Sequence, residues 1–229
     1  MALFIVGSYK ASPYDPDSAF DPVTHVATEA AFIQLLQHGV YDSKYIGYKV
    51  QLGNSVDYNN RLWVIADVNH DSANTGQTDC YDLISEDLPK KTYKFSDQYW
   101  RNTTVRTWLN NTFYNGFSNE FKNHMLNINY NSNNSWYNDD YIILPSYIEV
   151  NGGTSTYQKD LGVAYPIFTD DSSRIKAYIV GTTNYGEWWT RTQYTNISNN
   201  VWRATTSGKI QYYYISNSGI YLAPLMRVH

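Results

Sequence analysis

Asp67, Asn69 and Asp71 fall at alternating positions in DVNHDSANTGQTDCYDLIS, the spacing with which a calcium loop begins. Oxygen ligands so placed would suit a hard divalent cation. An EF-hand loop requires glycine at its sixth position and glutamate at its twelfth, where this stretch has Ser72 and Thr78. That motif is excluded, and a turn whose Asx side chains bond their own backbone is the favoured reading. His70 has the chemistry of a ligand or a general base, yet a lone loop histidine is more often a hydrogen-bonded packing residue. A second oxygen-rich stretch, SWYNDDY, sets Asn138, Asp139 and Asp140 after Trp136. It leaves a structural Ca²⁺ as the one cofactor to consider, although Asn/Asp clusters usually just make loops, and no metal ligand is assigned.

Catalytic groups are sparse. Cys80 is the only cysteine, so no internal disulfide and no all-cysteine zinc site can form. GxSxG, HExxH and P-loop patterns are absent from the sequence. His124, or His70 with Asp71, could be assembled into a triad on paper, as scattered His and Asp allow in most chains. The expectation is a protein that is not an enzyme.

Binding chemistry is better represented. In 229 residues, charged side chains make up 17% and aromatics 17%, with 23 tyrosines, so Tyr, Asn, Ser and Thr stand where charges usually do. Rigid rings beside adaptable hydrogen-bonding groups are the chemistry of a paratope, though a polar β-rich protein whose tyrosines pave its sheets has the same composition. A net charge of −4 argues against nucleic acid as a partner. MALFIVGSYK lacks the basic and long apolar regions of a secretory signal, and no segment has the apolar length of a membrane span. The chain is expected to be soluble, without membrane insertion, reaching a surface by lysis, by another route or on a particle.

The elements that must position these groups follow from periodicity. Residues 1–23 include SPYDPDSAFDP and read as an arm or linker; residues 24–229 read as one ligand-binding domain. THVATEAAFIQLLQHG predicts a short helix capped by Thr28 and stopped at Gly39, and YIGYKVQL with RLWVIADV predicts a hairpin. NTTVRTWLNNTFYNGF and SNEFKNHMLNI predict two helices, capped by Asn102 or Thr103 and by Ser118, with Val105, Trp108, Leu109 and Phe113 on one face. NYNSNNSWYND reads as a polar loop and YIILPSYIEV as a buried strand ended by Asn-Gly-Gly. RIKAYIV, EWWTRTQ, NNVWRATTSGKI and GIYLAPLMRV read as short strands with long loops, and VWRATTSGKIQYYYI as a hairpin turning at Ser207-Gly208. Helices early and strands late indicate an α+β domain.

The succession LWVIADVNHD, NTTVRTWLNNTFYNGFSNEFKNHM, YIILPSYIEV, EWWTRT and SNSGIYLAPLMRV resembles a family of domains frequent in bacterial prophages and lipoproteins. The resemblance spans about residues 30–229 and is strongest from residue 100 onward. It implies a C-type-lectin-like fold, similar to the formylglycine-generating-enzyme group and to the variable proteins of diversity-generating retroelements. Two short helices would then brace a small twisted antiparallel sheet with long loops, whose exposed face binds a ligand. Trp188, Trp189 and Arg191 match the family's WWLRS element, with Thr190 and Thr192 in place of Leu and Ser; Gly219, Ala223 and Pro224 match its closing motif. The chemistry of the formylglycine-generating enzymes runs on a pair of cysteines and does not carry over to a chain with Cys80 alone.

The expected site is therefore a variable surface beside a rigid anchor. Trp188, Trp189, Arg191, Trp202 and Pro224 are the anchor. Thr190, Thr192, Gln193, Tyr194, Thr195, Asn196, Ser198, Asn199, Asn200, Tyr212, Tyr213, Tyr214, Ser216, Asn217 and Tyr221 are the face. Adenine-directed mutagenesis of Asn codons yields Asn, Tyr, Ser, Thr and Ile without stop codons, and these residues crowd positions 192–221. Comparing the gene's 3′ end with a nearby imperfect repeat decides that point: mismatches confined to template adenines support diversification, and no repeat removes it. The expected partner is a protein or glycan receptor on a target cell, met by a phage tail or a surface adhesin. SWYNDDY lacks the Glu-Pro-Asn or Gln-Pro-Asp triplet of calcium-dependent sugar binding. The competing reading is a structural particle protein whose tyrosine-rich face is a subunit interface in a homo-oligomer.

Overall fold

In a computed structural model that describes residues 14–56, 61–88, 91–178 and 182–229, KVQL and RLWVIADV pair antiparallel as strands Lys49–Leu52 and Arg61–Val68, as their pattern predicts. Val50, Leu52, Trp63 and Ile65 are fully buried. These strands lie in a seven-stranded sheet with Val26–Thr28, Tyr81–Ser85, Leu225–Val228, Met125–Leu126 and Ile142–Ile143. The expected first helix is Glu29–Gln37: Thr28 Oγ1 accepts from the Ala31 N–H, and Phe32, Ile33, Leu35 and Leu36 are buried.

Residues 14–23, part of the expected arm or linker, pack against the turn that leads into Lys49–Leu52. Phe20 is buried between Tyr45 and Tyr48, with centroids 4.8 and 5.1 Å away, and Tyr45 Oη donates to Asp17. Burial of Phe20 offsets the entropy of ordering this Pro-rich stretch. The rest of the expected arm, residues 1–13, lies outside the described residues.

Thr103 and Ser118 cap the middle helices as their spacing predicts, accepting from the N–H groups of Arg106 and Phe121. The first runs Thr104–Trp108 and continues as a π-turn, Leu109–Phe113; the second is Asn119–Lys122. The resemblance placed these helices behind the small sheet, but their Phe113 and Phe117 pack on Trp63 of the large one, 6.4 and 6.0 Å between centroids. The small sheet's paired tryptophans already have partners: Phe168 lies 6.2 Å from Trp188, and Phe95 lies 5.5 Å from Trp189.

Two further expectations are corrected. NYNSNNSWYND is a hairpin, Ile128–Ser132 with Ser135–Asp140, because Asn133 and Asn134 both take positive φ (52° and 63°), the geometry that joins strands through a two-residue turn. YIILPSYIEV is not one strand. Strand Ile142–Ile143 is followed by helix Tyr147–Asn151, started by a capping box in which Ser146 Oγ accepts from the Glu149 N–H and the Glu149 carboxylate accepts from the Ser146 N–H.

Of the expected late strands, RIKAYIV contributes Lys176–Ala177, which pairs with Tyr185–Gly186 in a separate two-stranded sheet, and the others supply a four-stranded sheet in the order Ile210–Tyr214, Asn200–Ala204, Trp188–Gln193, Tyr221–Leu222. Its hairpin turns where predicted. Gly208 has φ +79°, and a Cβ there would lie 1.6 Å from the Asp171 carbonyl oxygen, so backbone approach and conformation both demand glycine. The sheet is mixed rather than wholly antiparallel: Tyr221–Leu222 runs parallel to Trp188 and Trp189, because residues 215–220 carry the chain across to the far edge. Ala223 and Pro224 then pass it to the large sheet, where Leu225–Val228 pairs antiparallel with Tyr81–Ser85. Among the described residues the architecture is α+β, with several sheets, few helices and no closed barrel. No described helix is long and apolar enough to cross a membrane.

Candidate functional site

Cross-strand register brings three of the sequence's aromatic candidates together. Trp202 stands opposite Tyr212, and Tyr194 follows the strand Trp188–Gln193 that pairs along the other side of Asn200–Ala204. The Tyr194 ring lies flat on Tyr212, 4.1 Å between centroids at 10°, and meets Trp202 edge-on at 5.0 Å and 87°. Tyr147 supports Trp202 at 4.5 Å, and Tyr157 stands 5.3 Å from Tyr194. Packed rings of this kind contribute beyond the area they bury. Tyr157, Tyr194, Trp202 and Tyr212, with Ile210, bound an open groove of about 590 Å³ along the small sheet, and Tyr147 backs Trp202 from outside that lining.

The groove combines a fixed floor with free hydrogen-bonding capacity. Trp202 is 8% exposed, yet its indole Nε1–H has no acceptor among the described residues. Tyr212 is 44% exposed and Tyr214, which follows it on the same side of the strand, 60%. The one charged lining residue, Arg203, is paired with Glu187 and lies under the Tyr213 ring at 4.1 Å.

Beneath the groove, a buried polar frame holds its walls. The Arg191 guanidinium donates to both Glu149 carboxylate oxygens at 2.7 and 2.6 Å and to the Leu144 carbonyl at 2.8 Å. Burial alone would raise the Glu149 carboxyl, but Arg191 outweighs it and holds that group below the ordinary range. Asp160, buried without such a bidentate partner, is pushed up. Thr192 Oγ1 accepts from the Tyr147 N–H and donates to Asp160, and Thr190 donates to the Trp202 carbonyl. Tyr147 is thus oriented by the capping-box helix and by the strand together.

The expected anchor residues Trp188, Trp189, Arg191, Trp202 and Pro224 are all buried. The expected face divides. Thr190, Thr192 and Asn200 are buried beneath the surface, because hydrogen bonds to the Trp202, Asp160 and Ser198 oxygens turn them inward. Tyr194 and Tyr212 form the groove. Asn196, Ser198 and Asn199 are exposed at the sheet's tip, where the Asn199 N–H donates to Gln98 and its carbonyl accepts from Ile215, bringing Ser216 and Asn217 alongside. Gln193 and Thr195 border a separate polar cleft with Trp100 and Arg191. Tyr213 stays over Arg203, and Tyr221 stacks on Tyr178 at the far edge, 5.3 Å and 9°. Sequence reasoning missed Tyr147, Tyr157, Ile210 and Glu149. The Ser146-x-x-Glu149 capping pattern could have exposed the helix that carries Tyr147; nothing local marks Tyr157.

The oxygen-rich stretches are occupied by protein partners. Asp67 accepts from the Val68 N–H and pairs with His70, Asn69 accepts from the Cys80 N–H, and Asp71 accepts from Asn74. His70 is buried and stacked on Tyr165 at 3.7 Å. Asp139 and Asp140, considered for calcium, are engaged by Arg101 and Arg106, and Tyr130 donates to Asp140. No group of three or more His, Cys, Asp or Glu able to hold a metal ion occurs among the described residues.

The family model of a domain of unknown function, DUF6273, matches residues 78–228, which include the small sheet and every groove residue. No curated protein matches the chain. No solved structure matches it either.

Proposed function

The chain belongs to the DUF6273 family, and from the groove that this region carries we propose that it is a ligand-recognition protein acting by surface complementarity rather than by catalysis. One observation carries the reading: the Tyr194–Tyr212 stack stands over a buried Trp202 whose indole N–H has no acceptor among the described residues, in an open groove whose one charge is already paired. Tyr212 is the exposed ring of the pair and Tyr194 the buried one; a pre-packed ring supplies contact area at little entropic cost, and a desolvated aromatic floor is where binding energy concentrates. Asn196, Ser198, Asn199, Ser216 and Asn217 at the adjoining tip supply the adaptable rim.

A C-type-lectin-like placement is the finer part of this proposal. It is supported by a small mixed sheet with long loops whose last strand hands the chain back to the large sheet. The setting we favour is the tail of a phage or a surface adhesin, with a receptor on a target cell as partner and a face diversified by a retroelement.

Truncating Tyr212 removes half of the stack while leaving the buried frame intact. The labelled chain is to be measured on a panel of bacterial cells and on a glycan array, beside Tyr212→Ala. The variant should keep its circular dichroism and lose roughly 2 kcal/mol of binding, more than tenfold in affinity. Equal binding by both proteins would remove the groove from the recognition surface.

A further inference from the structure

A second concavity, of about 220 Å³, shares no lining residue with the aromatic groove. Its lining mixes Tyr99, Trp100 and Tyr137 with more polar side chains than the groove has. Ser132, Gln193 and Thr195 line it, and their side chains make no hydrogen bond among the described residues. Trp100 and Arg191, both 1% exposed, also line it, and the indole Nε1–H and the guanidinium Nε–H have no acceptor among those residues. Lys159, exposed at its margin, makes no ion pair there.

Buried N–H groups are costly to leave unpaired, so a lining that retains two of them beside an ammonium without an ion pair among the described residues is poised to receive an acceptor. The one carboxylate in the lining does not fill that role. Asp160 is already held by the Asn133 N–H and the Thr192 hydroxyl. The surplus is therefore of donors and of positive charge, which selects an anionic oxygen group. Hydroxyl and amide heads on the remaining walls match a polyol, and the volume suits one sugar ring rather than a chain.

We propose that this cleft binds a single acidic sugar unit. Its carboxylate is received by Lys159 and by the N–H groups of Trp100 and Arg191, and its hydroxyls by Ser132, Gln193 and Thr195. The site is independent of the groove, and neither stands on the other.

Calorimetric titration of the whole chain with glucuronic acid and with N-acetylneuraminic acid, beside glucose and acetate, tests it. The expected result is saturable binding of at least one acidic sugar with Kd on the order of 1 mM, tighter than glucose and acetate. Lys159→Met should weaken that binding about tenfold, the loss expected for a hydrogen bond to a charged group. Lys209→Met, which alters an exposed lysine at the hairpin turn, should leave it unchanged. The proposal is overturned if neither acid binds, if glucose or acetate binds as tightly as the acid sugar, or if Lys159→Met and Lys209→Met behave alike.

Discussion

Asp82→Asn should destabilise the fold by about 3–5 kcal/mol, the loss typical when one partner of a buried ion pair is removed. Asp82 is fully buried and accepts from Arg227 Nε and Nη2 at 2.6 and 2.8 Å and from the Tyr165 hydroxyl at 2.7 Å. An amide neutralises the carboxylate and offers a single acceptor oxygen, so the buried guanidinium is left uncompensated. The pair sits at directly opposed positions of Tyr81–Ser85 and Leu225–Val228, and Arg227 also donates to Gln77 and to the His70 carbonyl. Losing it loosens the final strand and the loop that it fastens. Urea midpoints of wild type, Asp82→Asn and the double variant Asp82→Asn/Arg227→Met measure this; the double variant should recover part of the loss, since no unpaired charge remains. A midpoint unmoved by Asp82→Asn would contradict the assignment.

The same pair sets acid sensitivity. Burial alone would raise the Asp82 carboxyl, but Arg227 outweighs it and holds that group below its ordinary value. Its contribution is present above the unfolded value of about 4 and is lost as pH falls through the depressed folded one. Wild type should therefore lose stability below about pH 4 more steeply than Asp82→Asn.

Lys176 works in the opposite direction. Its ammonium is buried and donates to the Ser85 carbonyl at 2.5 Å; burial lowers its pKa to about 8, although Glu86 and Asp87 pull it upward. Between about 8 and the unfolded value of about 10.4, the unfolded chain holds this proton and the folded chain does not. Stability from this group therefore rises with pH across that window and is lowest below it. The displacement corresponds to about 3 kcal/mol, so wild type should gain up to that amount on Lys176→Met between about pH 8 and pH 10. Taking the difference between the two proteins cancels the tyrosines, which titrate in both. Parallel curves for wild type and Lys176→Met over that window would show that the amine is not buried as described.

Local signals were readable wherever one residue type meets one backbone demand. Thr28, Thr103 and Ser118 cap helices where their positions predict, Gly208 closes a hairpin where no side chain fits, and alternation located the strands around Val50, Trp63 and Trp202. Reading failed where composition stood in for geometry. The Asn-rich stretch around Asn133 looked like a loop because its strands are polar, and the apolar run YIILP hid a helix start behind Pro145.

By itself the sequence determined the chemistry available to this protein: a charge-poor, tyrosine-rich carboxyl-terminal region beside paired tryptophans, with a lone cysteine and scattered histidines. Tertiary structure alone decided which of those residues meet. Tyr157, Tyr194, Trp202 and Tyr212 come from four separate segments, and only tertiary packing and strand register gather them into one groove, with Tyr147 of the capping-box helix set behind Trp202. Arg227 finds Asp82 across 145 positions of chain. Caps and turns are settled by neighbours within a few residues, whereas a groove and a buried ion pair depend on contacts distant in sequence, made only once the sheets have packed.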